Sequence, residues 1–151
     1  MTTPRPDWAA PEQSAGFLLW RVTLAWQRAM RAALARHELT HVQFVLLASL
    51  LWLESRGDPP SQQRLADFVG IDPMMASQVL RKLADRGLLV REVDPADSRA
   101  RLLRLTPVGR ALAAVALTDV EKADAEYFGV LGGDRADFVR SLSALSSFAQ
   151  R

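Results

Sequence analysis

The sequence predicts a mostly α chain with a small β-hairpin, arranged as a winged helix-turn-helix between N- and C-terminal dimerisation helices. Three observations predict it. Two short helical segments meet at a tight turn containing Gly70, a basic hairpin follows the second, and apolar helical stripes flank this unit on both sides. The hairpin arms are residues 88–93 and 101–105, and the turn between them is Asp94, Pro95, Ala96 and Asp97. Arg101, Leu103 and Leu105 alternate with Leu102 and Arg104, as a short two-faced strand requires. Thr106 followed by Pro107 is a helix N-cap with proline at the first helical position, where no backbone N–H is needed.

The helices take their bounds from caps and breakers. Residues 12–36 are helical, with Phe17, Trp20 and Leu24 on one face and Leu19, Val22, Trp26 and Met30 on roughly the opposite one. A helix apolar on several faces is buried by more than one neighbour, and here the second neighbour expected is a partner subunit. Thr40 and Gln43 form a capping box for a second helix whose core stripe is Phe44, Leu47, Leu51 and Val45, ended by Gly57, Asp58, Pro59 and Pro60. Ser61 caps a third helix, with Leu65, Phe68 and Val69 inward and Gly70 closing it. Asp72 and Pro73 start a fourth helix, which Gly87 stops after Arg86. A long helix over 107–131 is broken by Gly132 and Gly133. Asp134 and Asp137 open a last one, with Phe138, Leu142, Leu145 and Phe148 on one face. The expected division is 1–36 for an arm and first dimerisation helix, 37–106 for the DNA-binding lobe, and 107–151 for C-terminal dimerisation helices.

Composition narrows the function classes. The chain has 151 residues, 49% of them hydrophobic and 24% charged, ordinary for a globular protein with a real core. A net charge of +2 is too small to argue nucleic-acid binding, so the placement of the arginines must carry that argument. The absence of cysteine excludes disulfides, thiolate metal sites and a thiol-based peroxide sensor. The longest apolar runs, such as 42–53, contain Gln43 and Ser49 and fall short of the roughly 20 residues of a membrane span. Residues 1–11 hold three prolines and no apolar targeting core, which points to a loose arm and a cytoplasmic protein. No phosphate loop, dinucleotide fingerprint or nucleophile elbow is present, so neither enzyme activity nor a cofactor is expected. His37 and His41 are four apart but straddle the Thr40 cap, and no third ligand joins them, so no metal site is expected either.

Asp97-x-Arg99 followed by Leu105-Thr106-x-x-Gly109 resembles the signature of the MarR family of bacterial transcription regulators. Leu39-Thr40-x-x-Gln43 is similar to that family's second-helix opening, and Leu83-x-x-x-Gly87-Leu88-Leu89-x-Arg91 to its junction of recognition helix and wing. The order of elements matches the family layout over most of the chain.

Along the fourth helix, Ala76, Val79, Leu80 and Leu83 form the inward set and leave Met74, Met75, Ser77, Gln78, Arg81 and Lys82 outward. Glutamine suits bidentate contact with adenine, arginine with guanine, and serine reaches bases or phosphates. Met74 and Met75 suit thymine methyl groups; Met74 lies near the middle of the outward face and Met75 at its edge, and both stay candidates. Arg99 is the residue for insertion into a narrow minor groove. The resemblance implies the same role, and implies that Asp97 steadies the loop by pairing with an arginine. Aspartate is favoured in such a turn for its own sake, and both readings stand. Arg101 and Arg104 face opposite ways, so only one of them, assigned as Arg101, approaches DNA. Ser61 and Gln62 open a helix and offer backbone N–H groups to a phosphate. Taken singly each is an ordinary solvated side chain; the helix-turn-helix followed by an arginine-bearing wing is what assigns them.

The resemblance also implies a crevice between the dimer helices and the DNA-binding lobe that takes phenolic or other aromatic anions. Trp20, Trp26, His41, Phe44 and Trp52 are its candidate walls, with Arg21 and Arg28 available to an anion; plain core or dimer packing remains the other reading for each. The function expected is a homodimeric double-stranded DNA-binding repressor or regulator of a pseudo-palindromic operator, adjusted by a small aromatic ligand. Two rivals stay open: a winged-helix interaction module without specific DNA binding, and an architectural DNA-binding protein without ligand control.

Overall fold

Capped helix starts and glycine stops dictate most of the boundaries in the computed structural model, which describes residues 10–150. The loose arm expected over 1–11 lies outside the described residues up to residue 9, and Pro11–Gln13 forms a 3-10 turn. The elements are α1 (Ala15–Leu34), α2 (His41–Glu54), α3 (Gln62–Val69), α4 (Pro73–Asp85), β1 (Leu89–Asp94), β2 (Asp97–Leu105), α5 (Pro107–Phe128) and α6 (Arg135–Ala149). Among the described residues no helix is long and apolar enough to cross a membrane.

Ser14, not the region of Glu12, starts α1: its hydroxyl accepts from Phe17 N–H at 3.3 Å. The Thr40–Gln43 capping box forms in both directions, at 3.2 and 3.0 Å. Ser61 accepts from Arg64 N–H, and Asp72 from Met75 N–H. Gly70, at φ 80°, turns the chain from α3 into α4 in a conformation a side chain would resist.

The core sits around α2, which packs on α1, α3, α4, α5 and the hairpin. The expected stripe is only part of what it buries. Phe44 and Leu47 are buried and Val45 and Leu51 half-buried, but Leu46, Leu50 and Leu53 are buried too, because α2 is enclosed on several sides. Leu65, Leu80, Leu83, Leu89 and Leu103 close the core from the other elements. Phe68 does not join them. Leu65 and Ala66 fill the inward face of the short α3, so Phe68 stays 51% exposed on the rim and stacks on Trp52, ring centres 5.4 Å apart. The Arg56 guanidinium lies over the same tryptophan, 4.7 Å from the ring centre.

The antiparallel hairpin pairs Leu89 with Leu105, Arg91 with Leu103 and Val93 with Arg101, and slips register between Val93 and Asp94. The segment entering α3 adds a third rung: Ser61 bridges Leu102, and Leu103 N–H donates to the Pro60 carbonyl at 3.0 Å.

At the start of α5, Thr106 Oγ1 accepts from Gly109 N–H at 3.0 Å and donates to the Gly87 carbonyl at 2.6 Å. The Glu54 carboxylate reaches across from α2 to Leu105 N–H at 2.7 Å and to Arg110 at 2.6 Å. The long helix ends at Phe128, before the expected Leu131, in a 3-10 segment Gly129–Asp134 with Gly132 at φ 51°. Asp134 makes no side-chain cap bond to α6. Within one chain α6 buries nothing: Phe138 rests half-buried against Phe128, while Leu142, Leu145 and Phe148 face out.

The glycine of the Leu-Thr-x-x-Gly sequence has a steric reason. A Cβ on Gly109 would lie 1.7 Å from the Leu88 carbonyl oxygen, so α5 and the recognition-helix exit must separate to admit one. Gly109→Ala should therefore lower unfolding stability by about 1–3 kcal/mol or more, as overpacking against backbone does. An unchanged urea midpoint and slope would contradict this.

Candidate nucleic-acid interface

The turn at Gly70 sets α4 across α3, so that Ala76, Leu80 and Leu83 are buried and Val79 half-buried. The opposite face is open. Met74 is 74% exposed and Met75 46%, Gln78, Arg81 and Lys82 are exposed, and Ser77 is half-buried toward the wing. The angular order expected of the two methionines is the order of their exposure.

Ser61, Gln62, Ser77, Arg91, Arg99 and Arg101 surround one cleft of about 350 Å³ between the start of α3, α4 and the wing. Among the described residues no carboxylate lines it. Arg91 is the residue that the sequence reading missed. It faces inward on β1 in the Leu89–Arg91 alternation, and Gln62 Oε1 accepts from its Nε and Nη2 at 3.2 and 3.0 Å. Burial, then the nearby charges of Arg81 and Arg101, draw the Arg91 guanidinium below its ordinary range. That residue still stays charged, since arginine does not deprotonate in proteins. The signal was present: an arginine at an inward strand position needs a partner or an anion.

Asp97 behaves differently from its implied role. Its Oδ1 accepts from the Arg99 backbone N–H at 3.0 Å, as Asp94 accepts from Ala96 N–H at 2.8 Å, and among the described residues it makes no ion pair. At a two-residue hairpin tip the nearest donors are backbone amides, and the carboxylate spends itself there. Arg101 Nη1 turns back to the Ser98 and Ala100 carbonyls at 3.4 and 3.3 Å. Arg104 sits on the other face, beside Glu92 at 3.4 Å.

The residues expected to wall a crevice do not gather in one chain. Trp26 and His41 do meet, ring centres 5.0 Å apart and nearly edge-on, with Trp26 Nε1 donating to Asp124 of α5 at 2.8 Å. Phe44 is enclosed in the core, Trp20 is 64% exposed on α1, and Trp52 belongs to the stack with Phe68. His37 and His41 have separate partners, Asp119 for the first and the Trp26 ring for the second. His37 Nε2 lies 2.6 Å from Asp119, which Arg36 also reaches at 2.7 Å; the histidine first and then the arginine hold that carboxyl below the usual carboxylate range.

A helix-turn-helix with an open polar recognition face, and an arginine-bearing wing beside it, defines a winged-helix DNA-binding regulator. The family model described as "ArnR1-like, winged-helix domain" matches residues 35–122, and the chain belongs to that winged-helix family, within the MarR group of transcription regulators. It is 43% identical over 120 residues to the HTH-type transcriptional regulator YdcH of Bacillus subtilis, covering 80% of this chain and 82% of that one. Among solved structures it is similar to CouR of Rhodococcus jostii RHA1 bound to p-coumaroyl-CoA, with a TM-score of 0.80, 29% identity, and coverage of 94% of this chain and 96% of that one. The repressor CouR bound to a 23-mer DNA duplex matches with a TM-score of 0.76, 30% identity and coverage of 90% and 94%. A MarR-family regulator from Rhodococcus sp. RHA1 matches with a TM-score of 0.72, 30% identity and coverage of 91% and 96%. These relatives are regulators, not enzymes.

Burial lowers the His41 pKa from 6.5, opposed by the charge of Asp124 and aided by that of Arg31. A histidine that protonates less readily folded than unfolded costs stability as pH falls below the unfolded value. Stability should therefore drop with acidification below about pH 6.5, and His41→Gln should flatten that part of the profile. Urea midpoints taken from pH 7.5 to 5 measure it; parallel profiles for wild type and variant would contradict it.

Proposed function

We propose that this chain is a homodimeric, sequence-specific repressor of transcription in which α4 lies in the major groove and the wing reaches the adjacent minor groove. The observation that carries the reading is the convergence of Ser77 on α4, Ser61 at the start of α3, and Arg91, Arg99 and Arg101 of the wing on one cleft without a carboxylate. Gln78, Arg81 and Met74 face the bases, with Met75 at the edge and Lys82 toward the backbone; Ser61 offers its helix start to phosphate, and Arg99 enters the minor groove. The similarity to a repressor solved on duplex DNA supports it.

The lobe of residues 37–106 reads DNA, and residues 1–36 and 107–151 hold the dimer. Within one chain Leu19 and Trp20 of α1 are 53% and 64% exposed, and Leu145 and Phe148 of α6 are 60% and 74% exposed; an apolar surface of this kind marks an interface. A small aromatic or anionic ligand releases the DNA by acting at the α1–α2 joint, where Trp26 meets His41 and donates to Asp124 of α5. CouR was solved with p-coumaroyl-CoA, which supports a ligand of that general kind.

Arg81→Ala should cost about 1–3 kcal/mol on the preferred duplex and relax base choice at one position per half-site. Arg99→Ala should weaken binding more evenly across sequences of similar groove width. Equal affinities for wild type and both variants at moderate salt would sink the interface. Deleting residues from Asp134 onward should yield monomers or aggregates by sedimentation, and a truncated chain that stays a clean dimer at low micromolar concentration would contradict the dimer assignment.

A further inference from the structure

The first side chain of α3 is turned toward the wing. Gln62 Oε1 takes the Nε and Nη2 donors of Arg91, and both residues are half-buried while Arg81 and Arg99 stand exposed. A forked guanidinium is ordinarily matched by a carboxylate, which fixes its plane and cancels its charge together. The glutamine amide fixes the plane and leaves the charge. Of the five N–H donors of an arginine, two go to Gln62, and three remain for an incoming acceptor.

The surroundings ask for an anion. Arg91, Arg99 and Arg101 line the cleft, and among the described residues no acid is in its walls. Ser61 and Ser77 add hydroxyls at its rim, and the N-terminal end of α3 faces it through Gln62 and Gln63. A partly desolvated cation beside like charges is relieved by whatever negative group enters.

We infer that Gln62 is a positioning residue for DNA binding: it holds Arg91 so that its remaining donors meet one phosphate of the duplex, in the cleft between recognition helix and wing. This rests on the DNA-binding reading above. It gives Gln62 a role through Arg91 rather than through a contact of its own, and it makes Arg91 an anchor alongside Arg99 at the tip.

The test is a double-mutant cycle on the full chain, titrating a labelled mixed-sequence duplex of about 24 base pairs, enough for two half-sites, over a salt series. Gln62→Ala should weaken binding about five- to tenfold, within the range of a typical net hydrogen bond. Arg91→Ala should weaken it at least as much and reduce the salt dependence by about one contact per half-site. Added to Arg91→Ala, Gln62→Ala should cost less than about twofold, the mark of two residues acting as one unit. Gln62→Glu keeps the acceptor geometry and cancels the charge, so it should bind more weakly and with a shallower salt slope than wild type, even though it grips Arg91 harder. Additive losses in the cycle, or tighter binding by Gln62→Glu, would overturn the inference and leave the DNA-binding reading standing. Failure of the wild-type chain to bind the duplex at any salt would overturn both.

Discussion

Where the exit of α4 meets the start of α5, a few backbone atoms carry the geometry of the whole side proposed to face DNA. The Thr106 hydroxyl donates to the Gly87 carbonyl and accepts from Gly109 N–H, and the Leu88 carbonyl accepts from Thr106 N–H at 3.1 Å. Three elements meet there: the exit of α4, the return strand β2, and the first turn of α5. Glu54 ties the same point to α2 through Leu105 and Arg110. The absence of a side chain at Gly109 lets these backbones approach, so the angle between α4 and the wing is set by contacts that cannot stretch.

Electrostatics then follow from placement rather than from total charge. A net charge of +2 would not attract a polyanion strongly, yet Arg91, Arg99 and Arg101 share one cleft that, among the described residues, no carboxylate lines. The hairpin achieves this by spending its aspartates on backbone amides at the tip and its one arginine–glutamate pair, Arg104 with Glu92, on the far face. The same end of α4 is also tied to the α1–α2 joint, where the Arg86 guanidinium donates to the Glu38 carbonyl at 2.9 Å. Glu38 holds a left-handed conformation, φ 53°, two residues before the Thr40 cap. Just beyond, at the start of α2, His41 packs on Trp26.

What the amino-acid order reveals here is local. Thr40 with Gln43, Ser61, Asp72 with Pro73, and Thr106 with Pro107 announce helix starts because a cap is made within three residues of itself. The outward face of α4 follows from helical spacing alone. Contacts between distant segments were not legible. Nothing in the order of residues shows that Pro60 and Ser61 pair with β2, that Gln62 meets Arg91, or that Asp97 prefers an amide to a guanidinium. Phe68 was placed inward because it is large and apolar, but an eight-residue helix has room for few inward positions, and Trp52 covers it from the side instead. The crevice was the weakest part, since Trp20 and Trp26 share a helix yet only Trp26 reaches His41.

The central claim is that two copies of this lobe read a duplex together, each through α4 and its wing. Selecting duplexes from a random pool with the purified full-length chain, and sequencing what it retains, tests that claim most directly. The retained duplexes should share a pseudo-palindrome with half-sites roughly 10 base pairs apart, since the two-fold axis of a dimer is copied into the site it reads. A pool that emerges without enrichment, or enriched in a single unrepeated half-site, would contradict it.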